Sequence, residues 1–106
     1  MIWIKFQGSW PTQAAEQAML TVRDTLQNAL RFETDPAHYY TETVDAAVRR
    51  IFVRIDLFPA GSARSRRTAA QQMQDRLAQT QGLPAVCVSV AICSPQQERV
   101  EMQWKT

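Results

Sequence analysis

The chain has 106 residues, of which 45% are hydrophobic and 21% charged, and its net charge is +2. This length and composition predict a single globular domain over residues 1–106 and exclude a disordered or fibrous chain. No apolar run approaches the about 20 residues of a membrane-spanning helix, and the start lacks the features of a signal peptide. We therefore expect a cytoplasmic protein that has no membrane partner.

The first half of the chain, residues 1–48, has the pattern of a strand, a helix and a second strand. The segment IWIKF alternates apolar and polar residues, which predicts a strand with one buried face. Over residues 11–31 apolar side chains recur at steps of three and four, as in an amphipathic helix. A less regular stretch follows, in which residues 39–44 are the candidate for the second strand.

The second half, residues 49–106, repeats this order. The segment RRIFVRIDLF predicts a strand, and a helix is expected over residues 65–79, with Gly82 as the left-handed residue that ends it. The next segment, AVCVSVAIC, predicts another strand. Its alternate residues are expected to face the helices: Val86, Val88, Val90 and Ile92. The segment ERVEMQWKT predicts a short edge strand at the end of the chain.

Two βαβ units with right-handed crossovers place both helices on one face of a four-stranded mixed sheet. The sequence thus predicts an α/β fold with half-repeats of about 1–48 and 49–106. The opposite sheet face is expected to carry Trp3, Phe52, Cys87 and Ser89 without a covering layer. Because such a face favours a partner, self-association is the simplest expectation.

Arginines are concentrated in the second half of the chain. Half of the twelve basic residues lie between positions 49 and 67. They are Arg49, Arg50, Arg54, Arg64, Arg66 and Arg67. Arginine suits bidentate binding of carboxylate or phosphate, although a solvated rim of the domain would show the same composition. A similar sheet binds RNA through aromatic residues, but the small net charge and the missing aromatic-glycine pattern argue against nucleic acid.

The cysteines and the single histidine do not indicate a metal site or a cofactor. Cys87 and Cys93 fall in one predicted strand, about 20 Å apart at the usual rise per residue, which is too far for a disulfide. We interpret both as reduced, buried side chains. His38 has no cysteine or aspartate cluster near it, so no metal and no cofactor are expected.

Three segments carry a family resemblance. MIWIKF is similar to the first strand of the tautomerase superfamily, the small βαβ proteins related to macrophage migration inhibitory factor. RIFVRIDLFPAGSARSRRTAAQQM resembles the third strand, glycine-containing loop and second helix of that family. GLPAVCVSVAIC resembles its last major strand. The resemblance implies a homotrimer in which the sheets form a closed barrel, with active sites at the subunit boundaries.

The resemblance also implies particular chemistry. In the family an N-terminal proline acts as general base or acid, and arginines bind the carboxylate of the substrate. Here Ile2 stands in the proline position, and Met1 is expected to be retained because its removal requires a small second residue. The Met1 α-amine is therefore the candidate catalytic group. Arg31 and Arg64 are the candidates for substrate binding.

Tyr39 and Tyr40 offer a phenol donor near the same site. Adjacent strand residues point to opposite faces, so at most one of them can line a given pocket. We take Tyr39 as the candidate.

The leading hypothesis is an atypical or degenerate tautomerase-like protein that binds or isomerises a small carboxylate or carbonyl compound without the proline base. A second hypothesis is a non-enzymatic oligomeric binding module with the same fold. A third is a ferredoxin-like dimer unrelated to tautomerases.

Overall fold

In a computed structural model, which describes residues 1–56 and 62–93, the chain folds into a four-stranded sheet with two helices on one face. The elements in chain order are β1 (Ile2–Gln7), α1 (Ala14–Leu30), β2 (Tyr39–Val44), β3 (Arg50–Asp56), α2 (Ala63–Gln81) and β4 (Val88–Cys93). Short 3₁₀ turns over Pro36–His38 and Ala85–Cys87 lead into β2 and β4.

The strand order is β2-β1-β3-β4. Strands β1 and β2 are parallel, β3 and β4 are parallel, and β1 pairs antiparallel with β3. The predicted fold of two βαβ units in a mixed sheet is thereby confirmed. The ferredoxin-like alternative is wrong, because its split βαβ unit has a third strand between the two parallel strands, whereas β1 and β2 are directly hydrogen-bonded neighbours.

The core lies between the sheet and the helices, as the strand alternation predicts. Ile2, Ile4 and Phe6 of β1 are each no more than 2% exposed, while Trp3 between them is 39% exposed. Strand β3 has the same alternation, with Ile51, Val53 and Ile55 buried. Because side chains alternate between the two faces of a strand, every second residue of the central strands enters the core.

Both helices contribute a buried stripe to this core. Helix α1 lies within the predicted residues 11–31 and buries Ala18, Val22 and Leu26 completely. Helix α2 is two residues longer at each end than predicted. It starts early because the hydroxyl of Ser62 accepts a hydrogen bond from the backbone N–H of Ser65 and caps the helix. Gly82 ends α2 in the left-handed conformation, with φ of 66°, as predicted.

The start of the last predicted strand is wrong. Residues 85–87 form a 3₁₀ turn after Pro84, closed by a 2.9 Å hydrogen bond from the Cys87 N–H to the Pro84 carbonyl. Val86 is therefore 79% exposed and does not face the helices, whereas Val88 and Ile92 are buried as expected. The side chain of Gln74 holds the turn against α2, because its Nε2 donates to the carbonyls of Ala85 and Val88.

The cysteines differ in part from the expectation. Neither Cys87 nor Cys93 forms a disulfide, but both are half-buried and not fully buried. Cys87 lies in the 3₁₀ turn and so is not part of the uncovered sheet face. The predicted strand in ERVEMQWKT lies outside the described residues. Among the helices of the described chain, none combines the length and apolar character needed to cross a membrane.

Candidate functional site

The sheet face opposite the helices is uncovered. The side chains that point away from the helices come from alternate positions of the four strands and follow the register of the sheet. They surround a shallow concavity of about 490 Å³. The described residues that line it are Trp3, Lys5, Glu42, Phe52, Val53, Arg54, Ser89, Val90, Ala91 and Cys93. We call this surface the open face.

Aromatic and basic side chains interleave on the open face. The Trp3 and Tyr40 rings are stacked, with centroids 6.2 Å apart. The Lys5 ammonium lies 5.9 Å from the centroid of the Phe52 ring, which is within the range of a cation–π contact. The open face thus offers flat apolar rings beside positive charge. Such a surface suits a second protein surface or a flat anionic ligand.

Met1 extends β1 by one more pair at the edge of the open face. Its α-amine donates to the Asp56 carbonyl at 3.2 Å, and the Asp56 N–H donates to the Met1 carbonyl at 2.9 Å. Met1 is 47% exposed, so its amine lies at the surface and not in an apolar pocket. The Ile2 side chain is instead enclosed in the core.

The two candidate arginines lie at helix termini on the same end of the sheet as Met1. Each helix runs back along the sheet from the strand before it, so α1 ends, and α2 begins, at this end. Arg31 caps α1 in the left-handed conformation, with φ of 51°, and its N–H bonds to the Leu26 carbonyl. Arg64 lies in the first turn of α2. Both side chains are exposed.

Tyr39 lies at the same end of the sheet but on its helix side. It pairs with Ile2 in the β1–β2 register, and its hydroxyl is 2.8 Å from the hydroxyl of Thr34. Burial raises the pKa of the Tyr39 phenol above its ordinary value of 10.0, although the Thr34 hydrogen bond opposes this. The phenol is therefore a neutral donor at physiological pH. The neighbouring Tyr40 points to the open face.

Three further residues near this end of the sheet were not among the candidate site residues. Arg54 and Asp56 share the open face, with Arg54 Nε 3.6 Å from Asp56 Oδ1. Arg66 is buried to 8% exposure in the first turns of α2. The alternation of the segment RRIFVRIDLF predicts Phe52, Arg54 and Asp56 on the face away from the core, and the burial pattern of β3 confirms this. Arg66 lies three residues before Ala69 and seven before Met73, on the buried stripe of α2, so helical periodicity distinguishes it from the exposed Arg64.

Within the described residues, no three His, Cys, Asp or Glu side chains lie close enough together to hold a metal ion.

Solved structures with the same fold give this geometry a context. A fused 4-OT, solved as a symmetric trimer, matches with a TM-score of 0.73 and 10% identity over 88% of this chain and 83% of that chain. The FG41 malonate semialdehyde decarboxylase inhibited by 3-bromopropiolate matches with a TM-score of 0.74 and 13% identity, over 89% and 82%. Macrophage migration inhibitory factor from Toxoplasma gondii matches with a TM-score of 0.60 and 10% identity, over 88% and 87%.

No family model matches the sequence, and neither does any curated protein. The structural matches nevertheless agree with one another, and they confirm the fold that the resemblance implied. The chain has the fold of the tautomerase superfamily, in the form shared by 4-OT and macrophage migration inhibitory factor.

Proposed function

We propose that this chain is a tautomerase-like protein that binds, and slowly isomerises, a small carboxylate or carbonyl compound without an N-terminal proline. One observation carries the proposal. The topology brings the Met1 amine, the end of α1 and the start of α2 to a single end of the sheet. The Met1 amine and two exposed guanidinium groups at one end of this fold offer positive charge to an acid.

The proposed roles follow from the chemistry of each side chain. Arg31 and Arg64 hold the substrate carboxylate, since a guanidinium donates two parallel hydrogen bonds to it. Tyr39, whose phenol keeps its proton because burial raises its pKa, donates a hydrogen bond to a carbonyl oxygen. The Met1 amine, one residue before Ile2, is the candidate for the proton transfer.

We further propose that the protein assembles as a homotrimer through its open face, with the site at the subunit boundary. The fused 4-OT with the same fold is a symmetric trimer. Trp3, Tyr40 and Val44 of this face are each at least 39% exposed in the single chain. A second copy would remove these apolar side chains from water, a burial that stabilises by about 25 cal/mol per Å².

A non-enzymatic binding module is the second candidate function. One observation favours it: Ile2 is committed to the core, and the Met1 amine donates to a backbone carbonyl at the protein surface. The amine thus takes part in the backbone pairing of β1 with β3 and does not lie in a pocket that could receive a substrate.

Enol tautomerisation tests the proposal. Phenylenolpyruvate and 2-hydroxymuconate are supplied as substrates, and mass spectrometry verifies that Met1 is retained in the same preparation. The expected result is a saturable rate above buffer. Arg31→Ala and Arg64→Ala should each raise KM about 10-fold or more, because a hydrogen bond to a charged group contributes about 1.5–3 kcal/mol.

The control is Arg50→Ala. It removes an exposed arginine from the opposite end of the sheet, where Arg50 pairs with Gln7, so KM should not change. Saturable binding of phenylpyruvate without turnover would favour the binding module. If the chain shows no binding and no turnover, both functions are excluded.

A further inference from the structure

The Tyr39 phenol forms a hydrogen bond with the hydroxyl of Thr34 across the turn that leads into β2. The two oxygens are 2.8 Å apart, and both residues are half-buried. Thr34 lies two residues before the 3₁₀ turn Pro36–His38, and Tyr39 follows that turn directly. Each hydroxyl carries a single hydrogen, so one member of the pair donates and the other accepts.

The turn between the two residues is held by hydrogen bonds of its own. The Asp35 carboxylate accepts from the Ala37 N–H at 2.8 Å, and the His38 N–H donates to the Asp35 carbonyl at 2.9 Å. These bonds restrict the chain that joins Thr34 to Tyr39. The two hydroxyls therefore meet at a low cost in conformational entropy.

The use of Tyr39 as a donor to a ligand fixes the direction of this bond. A phenol has one hydrogen, so a Tyr39 that donates to Thr34 has none left for a carbonyl oxygen. When Thr34 donates instead, the phenol oxygen accepts and its hydrogen is left for the ligand. Together with Pro36 and residues of α1, Tyr39 lines a cavity of about 120 Å³, through which a small molecule can reach it.

Accepting a hydrogen bond from Thr34 also makes the phenol a stronger donor. Burial raises the pKa of Tyr39, and the Thr34 hydrogen bond opposes this, because a bond donated to the phenol oxygen favours its charged form. The positive charge of Arg23 acts in the same direction as Thr34. Hydrogen bonds in a chain polarise one another, so the Thr34 bond strengthens the bond that the phenol donates.

We propose that Thr34 is a positioning residue of the site, which donates to the Tyr39 oxygen and thereby directs the phenol hydrogen to the carbonyl oxygen of the substrate. The inference rests on the proposed function and adds the residue that orients its donor. During tautomerisation the substrate oxygen is negatively charged after the enol proton leaves and before carbon is protonated. The phenol donates most strongly to the oxygen at that stage, and neither hydroxyl gives up its hydrogen.

Thr34→Val tests this role, because it keeps the shape of the side chain and removes the hydroxyl. With phenylenolpyruvate, kcat should fall about fivefold, the effect of one neutral hydrogen bond. KM should change less than about twofold, since the bond acts mainly in the transition state. Thr34→Ser restores the hydroxyl and should recover most of kcat. Thr43→Val, at an exposed threonine of β2, is the matched control and should leave both constants unchanged.

Two further measurements separate positioning from a merely structural role. Tyr40→Phe leaves Tyr39 as the only tyrosine, so in that background the ultraviolet absorbance of tyrosinate reports the pKa of Tyr39. Thr34→Val should raise this pKa, because the hydrogen bond that opposes burial is lost. In a Tyr39→Phe background, Thr34→Val should have no further effect on kcat, because Thr34 acts through the phenol.

The outcomes separate this inference from the proposed function. If Thr34→Val leaves the pKa of Tyr39 unchanged, the inference is overturned and turnover by the native chain still supports the proposed function. The same holds if Thr34→Val lowers kcat equally with and without the Tyr39 phenol. Absence of turnover in the native chain overturns the proposed function, and with it the role of Thr34.

Discussion

At the scale of single residues, Gly8 shows how one position shapes the end of β1. The chain leaves the strand here with φ of 96°, a region that side chains other than glycine rarely adopt. A Cβ atom at this position would lie 3.1 Å from the Arg49 Cα and 3.2 Å from the Val48 carbonyl oxygen. The Gly8 N–H also bonds to the Val44 carbonyl at 3.0 Å, so the backbone cannot move freely to relieve the contact.

Gly8→Ala should therefore lower the free energy of unfolding by about 1–3 kcal/mol, the usual cost of a strained backbone position. Gly82→Ala is the matched control, because Gly82 also has positive φ but its Cβ would meet nothing within 4 Å. Urea unfolding of both variants at one protein concentration gives the comparison. Equal losses at the two positions would show that contact with residues 48 and 49 adds nothing to the strain.

Single residues also show which parts of the candidate site could be predicted from the sequence and which could not. The alternation of Ile2, Ile4 and Phe6 could be read directly, and it correctly predicted that β1 begins at Ile2. The row formed by Met1, Asp56 and Cys93 could not be read, because their proximity depends on the register between strands far apart in the chain. The burial of Arg66 follows the three- and four-residue spacing of Ala69, Met73 and Leu77, a signal in the sequence that the selection of Arg64 did not use.

At the scale of elements, the two helices are joined by a polar contact within an otherwise apolar interface. Arg76 of α2 donates from Nη1 to the Thr25 hydroxyl of α1 at 3.1 Å, and Thr25 itself donates to the Thr21 carbonyl at 2.8 Å. Thr25 is 1% exposed. Its hydroxyl is therefore satisfied on both sides, as burial of a polar group requires.

Thr25→Val keeps the shape of the side chain and removes both hydrogen bonds. Thr21→Val, also buried, removes only the bond to the Gln17 carbonyl, so it serves as the control. Thermal or urea unfolding should show a greater loss of stability for Thr25→Val, because it removes one more hydrogen bond. The difference should be only about 1 kcal/mol, because the exposed Arg76 then bonds to water. If the two variants lose equal stability, the contact between the helices contributes nothing measurable.

The periodicity of the sequence predicted the positions of helices and strands better than any other feature of the fold. Both helices and the central strands lie where the 3.6- and 2-residue patterns predict. The error at Val86 has a local cause: Pro84 starts a 3₁₀ turn whose apolar residues continue the alternating pattern of β4 without being part of the strand. Alternation in the sequence did not distinguish that turn from an earlier strand start, because Ala85, Val86 and Cys87 are all residues that strands accept.

At the scale of the whole molecule, the open face is the surface through which we propose that the trimer forms. The proposed trimer predicts a mass of about three times the 12.1 kDa chain in sedimentation equilibrium, as a closed symmetric oligomer requires. Trp3→Ser, on the open face, should weaken the trimer toward monomer. Leu20→Ser should not, although Leu20 is 45% exposed against 39% for Trp3, because it lies on a helix. A dimer, or equal effects of both variants, would contradict the trimer.

The sequence by itself determined the order of elements, the core face of β1 and β3, the approximate helices and the absence of proline at residue 2. These depend on local periodicity and on the identity of single residues, which need no knowledge of distant contacts. Only the tertiary structure decided that β1 pairs directly with β2 and that Tyr40, not Tyr39, reaches the open face. It also placed the Asp56 carboxylate beside Arg54 and opposite Met1. Strand register and crossover geometry set these relations, and both arise from packing across the whole sheet.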